Sequence, residues 1–157
     1  MAVERTHNGT YGARQPNMPR SLTRIFAQIN VGFYRLFGHR MRVQGAQQLL
    51  LTTVGAKSGK LRKTPLGWFP DGDNAWLVAA TAAGSARHPA WYFNLARNPD
   101  KVWIEMGKRT LRVRPASLKG AERMAAWQRI VAQAPGYGAY QQKTDREIPI
   151  VRLTLAE

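Results

Sequence analysis

Lys57, Lys60, Arg62 and Lys63 put four cations into the nine residues from Gly55 to Lys63, with Ser58 and Gly59 among them. Glycines let the backbone turn tightly, and amide N–H groups laid bare beside Lys and Arg make a seat for a phosphate. Leu49–Val54, just upstream, is rich in aliphatic and β-branched residues, so the segment is expected as the turn of a basic β-hairpin. It is not a Walker A loop, because Val54 and Leu61 stand where that pattern needs Gly and Ser or Thr. Thr81-Ala82-Ala83-Gly84-Ser85 offers a second place for an anionic oxygen, with small residues and amides just ahead of a helix. Pro135–Tyr140 sets Tyr137 and Tyr140 three apart, on one face if the segment is helical, where phenols can stack on or hydrogen-bond a ligand. Each segment has a plainer alternative: a solvated charged turn, or aromatics buried for their area.

Other chemistries lack their residues. There is no cysteine, which excludes a disulfide, a thiolate metal site or a cysteine nucleophile. His7, His39 and His88 are scattered without ligand spacing, so no metal is expected. No Ser-His-Asp set can be assembled, and the acids are too few for paired-carboxylate work. If the chain is an enzyme, a bound cofactor supplies the reactive atom while the protein supplies position and electrostatics. Lys and Arg outnumber Asp and Glu by 24 to 9, a net +15, which predicts attraction to a polyanion: nucleic acid, an anionic membrane surface or a polyanionic small ligand. The absence of cysteine fits a reducing cytosol, and a cytoplasmic location is expected. No apolar run approaches the roughly 20 residues that cross a bilayer, and the polar start is not a signal peptide.

The elements that must carry these groups divide the chain in three. Residues 1–19 mix Gly, Asn, Arg, Gln and Pro with little apolar pattern and read as a flexible tail. In residues 20–38, Leu22, Ile25, Phe26, Ile29, Phe33, Leu36 and Phe37 form one stripe at helical spacing, with Arg20, Arg24, Gln28 and Arg35 on the other side. Such a basic amphipathic helix packs on its own barrel or a partner subunit, or lies on a membrane surface. Residues 39–157 read as five or six short strands with two or three helices and no βαβ rhythm, which indicates a small α+β barrel. Its strands are expected at 49–54, around 66–69, and at 75–80, 101–106, 109–114 and 148–153; its helices are expected from 88 or 89 to 97 and from 118 to 133.

Leu50-Leu51-Thr52-Thr53, followed by Gly55-x-Lys57-Ser58-Gly59-x-x-Arg62-x-x-Pro65-Leu66, resembles a signature of the deazaflavin-dependent nitroreductases and related quinone reductases. His88-Pro89-Ala90-Trp91-Tyr92-x-Asn94-Leu95-x-x-Asn98-Pro99 is similar to their second signature, and Tyr137-x-x-Tyr140-Gln141-x-x-Thr144-Asp145-Arg146-x-Ile148-Pro149-Ile150 to their third. The three stand in family order and cover about two-thirds of the chain, and the ordered set is far more specific than any one of them.

The resemblance implies a split β-barrel, with an N-terminal amphipathic helix and short flanking helices, that binds coenzyme F-420, an 8-hydroxy-5-deazaflavin with a phosphodiester and an oligoglutamate tail. It implies phosphate contacts at Lys57, Ser58, Gly59, Arg62, Pro65 and Leu66, and contacts to the ring and its neighbours at Ala80, Thr81, Ala90, Trp91 and Asn94. It also implies hydride transfer from the reduced cofactor to a quinone, enone or nitroaromatic, with Tyr137, Tyr140 and Thr81 as hydrogen-bond donors or proton relays. Departures from the nitroreductase branch lie at Gly67 and Ala134, where that branch carries tyrosines, and at Ala82, where lysine is usual. These departures predict a wider pocket that favours a bulky quinone or enone over a flat nitroheterocycle. Four other uses stay open: an FMN or haem barrel, a deazaflavin carrier without turnover, a basic nucleic-acid-binding barrel (against which the cation placement argues), and membrane contact through residues 20–37. The oligomeric state is not legible.

Overall fold

Antiparallel hairpins curl one sheet until its edges meet. The computed structural model describes residues 2–157. Its strands are β1 (Arg42–Val43), β2 (Ala46–Val54), β3 (Leu61–Pro70), β4 (Ala75–Ala79), β5 (Trp103–Met106), β6 (Arg109–Ser117) and β7 (Ile150–Leu155). They follow the order β1-β2-β3-β4-β7-β6-β5, and β2 also pairs with β5. That pairing, with Leu51 opposite Ile104, closes six strands into a barrel and leaves β1 beside the other end of β2. A closed barrel has no free edges to manage. The fold is the expected α+β split barrel, and the basic turn at 55–60 joins β2 to β3.

Four helices flank it: α1 (Arg20–Phe37), α2 (Ala90–Arg97), α3 (Gly120–Gln133) and α4 (Gly136–Gln142). Leu49, Leu51, Val78, Ile104, Val113 and Leu153 fill the interior, with Trp91, Tyr92 and Leu95 of α2 packed into the same cluster. A second cluster lies where Ile130 of α3 and Tyr137 of α4 cover Phe69, Leu77 and Ile150. The segment Gly136–Gln142 is helical despite two glycines, because Tyr137 gains more from burial in that cluster than the glycines cost in propensity.

Residues 2–18 differ from the expected flexible tail. They carry no helix or strand, yet they run as a strap along the barrel. Val3 is buried in the barrel core. The Tyr92 hydroxyl donates to the Glu4 carbonyl, Gly9 N–H donates to Ala86 O at 2.7 Å, and Ala13 N–H donates to Gly84 O at 2.8 Å. A Cβ at Gly12 would overlap the Ser85–Ala86 backbone, so the glycine that looks like linker composition is what permits the close approach.

The amphipathic helix also departs from one of its open readings. α1 holds the barrel by a narrow seam: among its described residues only Tyr34 is buried, and its hydroxyl donates to Glu105 O at 2.9 Å. Burial pushes the Tyr34 phenol pKa up, and the nearby Glu105 carboxylate adds to that. Arg35 pairs with Glu105 at 3.3 Å. The stripe from Leu22 to Phe37 faces outward, each of its seven side chains between 44 and 71% exposed, so it does not pack on its own barrel.

Candidate functional site

One strand links the two halves of the site. β3 begins at the basic turn and runs to Pro65, Leu66 and Gly67, which with Val43, Gln44, Gln48, Ala79, Thr81, Tyr137 and Tyr140 line a cleft of about 190 Å³. The structure therefore brings Pro65, Leu66, Thr81, Tyr137 and Tyr140 together.

At the basic turn, Gly59 N–H donates to Gly55 O at 2.9 Å and Gly55 N–H to Lys60 O at 2.8 Å, which fixes the loop's shape. The Ala56 amide donates to Asn94 Oδ1 at 2.9 Å, and Asn94 Nδ2 donates to Thr53 Oγ1 at 3.1 Å. Asn94 is thus a buried brace from α2 to the loop, with both polar atoms engaged. The Lys57 and Ser58 amides have no acceptor among the described residues, and Lys57, Lys60 and Arg62 are exposed without an ion pair there. Two adjacent free amides among three free cations are the donor set a phosphate needs. Lys63 instead binds Glu105 at 2.9 Å. Burial raises the Glu105 carboxyl pKa, but hydrogen bonds and charge from Lys63 and Arg35 outweigh it and leave the pKa below its ordinary value.

The expected ring-contact residues separate. Ala80 and Trp91 are buried in the barrel core, and Asn94 is spent on the loop; none of the three presents a side chain at the cleft. Ala90 is exposed at the first turn of α2. Thr81 alone of that set lines the cleft.

The turn after β4 is held under strain. Ala82 and Ala83 take left-handed φ values of 44° and 53°, followed by Gly84 at 79°. Non-glycine residues there cost about 1–3 kcal/mol each and persist only when the surroundings over-determine them. Arg146 provides that constraint. It is 2% exposed, and its guanidinium donates to Ser85 O at 3.0 Å, Ala80 O at 2.8 Å, Thr81 O at 2.8 Å and His88 Nδ1 at 2.9 Å. Because an arginine has only donors, Nδ1 is the acceptor and the His88 proton sits on Nε2, aimed at the Thr6 and His7 carbonyls, each at 3.1 Å. Burial, with Arg146 beside it, lowers the His88 pKa below its ordinary value. The Gly84 and Ser85 amides close the turn on Thr81 O and Ala82 O, so the anion seat expected there has already spent two donors. Arg146 and His88 stand in the sequence motifs, but nothing local to those motifs reveals this role.

Tyr137 packs edge-on against Phe69 at 5.3 Å, and burial, with Tyr140 nearby, pushes its phenol pKa up to about 12. It stays protonated at any working pH and can donate. Its Oη lies over Gly67: a Cβ there would collide with it and meet Ala46 Cβ at 3.0 Å. The widening expected at Gly67 is therefore filled by Tyr137. Ala134, fully buried in the α3–α4 cluster, does not face the cleft, and Ala82 is committed to the strained turn.

A closed split barrel in which β3 joins a phosphate-competent turn to a hydroxyl-lined cleft is the architecture of a cofactor-binding barrel. A family profile described as F420H(2)-dependent quinone reductase matches residues 20–154, and the chain belongs to that family. Coenzyme F420 is the family's cofactor. An F420H(2)-dependent quinone reductase of Mycobacterium tuberculosis is 39% identical over 137 residues, 85% of this chain and 89% of that protein. Among solved structures, an F420-H2 dependent reductase (FDR-A) superposes with TM-score 0.60 at 38% identity, covering 68% of this chain and 92% of its own. A chain described as a domain-swapped dimer superposes with TM-score 0.62 at 32% identity, covering 85 and 98%.

Proposed function

We propose that this chain oxidises reduced coenzyme F420 and delivers the hydride to the conjugated carbonyl system of a quinone or enone in the cleft of Thr81, Tyr137 and Tyr140. The observation that carries the reading is the convergence of three hydroxyls on one cleft whose floor strand starts at a phosphate-competent turn. The bound deazaflavin, which lacks the nitrogen through which flavins pass single electrons, supplies hydride. Lys57, Lys60, Arg62 and the Lys57 and Ser58 amides hold its phosphodiester, and Gly59, Pro65 and Leu66 complete that wall. Holding the acceptor over the ring is a proximity effect. As negative charge develops on the acceptor oxygen, Tyr137 and Tyr140 donate to it, and a phenol or the Thr81 hydroxyl relays the final proton. Tyr137 presents its hydroxyl over Gly67, which suits a carbonyl better than the stacking of a flat nitroheterocycle, so nitro reduction is expected to be weak.

The outward stripe of α1 supports peripheral membrane contact. Between Arg5 and Pro70 the chain has eleven Lys and Arg and no acid, and Arg20 and Arg24 share the helix with the apolar stripe, a combination suited to anionic lipid. Among the described residues no helix is long and apolar enough to cross a membrane. A lipid-borne quinone is the acceptor this placement favours.

The test titrates the protein with oxidised F420 and with FMN by fluorescence, then follows F420H2 oxidation with a naphthoquinone, a cyclic enone and a nitroimidazole. Saturable F420 binding with quinone or enone turnover above nitro turnover is expected. Binding of FMN alone overturns the cofactor reading, and the reverse acceptor order overturns the substrate reading. In flotation assays the protein should follow vesicles containing phosphatidylglycerol and not phosphatidylcholine alone; absence from both overturns the membrane reading.

A further inference from the structure

The two-residue turn between β1 and β2 carries a residue its backbone does not favour. Gln44 and Gly45 have φ of 51° and 83°, left-handed at both central positions, and Val43 pairs with Ala46 across them. Such a turn selects Asn-Gly or Gly-Gly, because only Gly, and to a lesser degree Asn, enters that region cheaply. Gln gains little from local hydrogen bonding there. What it has is reach: Gln44 Nε2 donates to the Tyr140 hydroxyl oxygen at 2.7 Å, and both residues line the cleft. The first residue of α4 leaves room for this contact, since a Cβ on Gly136 would crowd Gln44 Oε1 at 3.2 Å.

We propose that Gln44 is a positioning residue for proton donation by Tyr140, an inference that rests on Tyr140 serving the acceptor as described above. An amide N–H given to the phenol oxygen fixes the ring and occupies an oxygen lone pair, so the phenol's own proton cannot be spent on Gln44 and turns to the cleft. The same donation strengthens the phenol as an acid while charge builds on it in the transition state. The turn tolerates left-handed strain so that a long amide can stand there.

Three substitutions separate reach, donor and strain. Gln44→Gly and Gln44→Asn relieve the turn and lose the contact; Gln44→Glu keeps the reach and replaces the donor by an acceptor that draws the phenol proton away. The expected pattern is a thermal midpoint equal to or above wild type for Gly and Asn. With it should come a fall of about tenfold in kcat at nearly unchanged KM and F420 affinity, the loss of one hydrogen bond in the transition state. Gln44→Glu should fall at least as far. In the cofactor-free protein labelled with [ζ-13C]tyrosine, the Tyr140 signal should shift in all three variants. In a Tyr140→Phe background, Gln44→Gly should change kcat less than twofold.

Turnover within twofold of wild type in Gln44→Gly and Gln44→Asn, or an unmoved Tyr140 signal, overturns the proposal while leaving the reductase reading intact. If Tyr140→Phe itself costs nothing, the role of Tyr140 fails and this inference with it. Tolerance of Gln44→Glu shows the hydrogen bond running from Tyr140 to Gln44, which also overturns it.

Discussion

The two turns at the ends of the site are built on opposite principles. The β2–β3 turn holds its cations in solvent: Lys57, Lys60 and Arg62 are exposed, and the backbone is fixed by two hydrogen bonds and the Asn94 brace. The turn after β4 holds its one cation inside: Arg146 is buried, without a carboxylate partner among the described residues, and spends its donors on three carbonyls and an imidazole. An exposed cation is screened by water and salt and contributes little to the stability of the fold itself. A buried guanidinium leaves unpaired acceptors when removed, so its loss is felt throughout the turn it holds. On the proposed reading, the cations that bind the polyanion can be removed without unfolding the barrel, while the placement of Thr81 depends on one buried group.

Replacing Arg146 tests that contrast most severely. Arg146→Met keeps the volume but takes the guanidinium from the Ala80 and Ser85 carbonyls and leaves Thr81 O with only the Gly84 amide, beside two left-handed alanines. A loss of about 3–5 kcal/mol in unfolding free energy is expected, measured by urea denaturation, with reductase activity falling beyond the change in folded fraction. A variant as stable as wild type would show that the strained turn holds itself.

The other end should behave differently. Arg62→Ala is expected to weaken F420 binding by about 1.5–3 kcal/mol, as for a charge-assisted hydrogen bond, while unfolding free energy stays within about 0.5 kcal/mol. Fluorescence titration at two salt concentrations measures it, and the wild-type affinity should fall as salt rises. Unchanged affinity would move the phosphate elsewhere and dissolve the comparison.

What was legible in the sequence follows the same division. The basic turn, the strands beside it and Tyr137 with Tyr140 could be read because their signals are local: glycines, charge and three-residue spacing. The contacts of Arg146 and the strap could not, because they join residues far apart in sequence. Arg146 reaches Ala80 and Thr81, and His88 reaches Thr6 and His7. Composition made residues 2–18 look like a tail, since polar residues and glycine mark both a solvated segment and one hydrogen-bonded along a barrel. Periodicity shows that α1 carries an apolar stripe but holds no information about which way a stripe faces.

Gly67 offers a finer test on the chemical side. Gly67→Ala forces its methyl into the Tyr137 hydroxyl and against Ala46. About 1–3 kcal/mol of destabilisation is expected from overpacking, with quinone turnover falling as the phenol is displaced while F420 affinity holds. Titration and steady-state kinetics on one preparation separate the two. If turnover survives, Tyr137 is a wall of the cleft and not a donor.

The smallest effect concerns the strap. His88 is surrounded by the Arg146 guanidinium, the Tyr92 and Phe93 rings and the Thr6 and His7 carbonyls, with no acid in contact among the described residues. Its folded pKa lies below the 6.5 of the free side chain. The unfolded chain therefore binds this proton more readily, and stability rises with pH wherever the unfolded state holds more protons. The contribution is complete above about pH 6.5 and is lost as pH falls through that value toward the lower folded pKa. Amide exchange at Gly9 and Ala13, whose N–H groups bind Ala86 O and Gly84 O, should accelerate on acidification beyond the intrinsic pH trend. His88→Gln presents one face only, donor or acceptor, to each partner and should remove that pH dependence. If exchange in the strap is the same at pH 5 and pH 8 after that correction, Arg146 secures the turn without help from the N-terminal segment, and the buried cation alone accounts for the difference between the two ends.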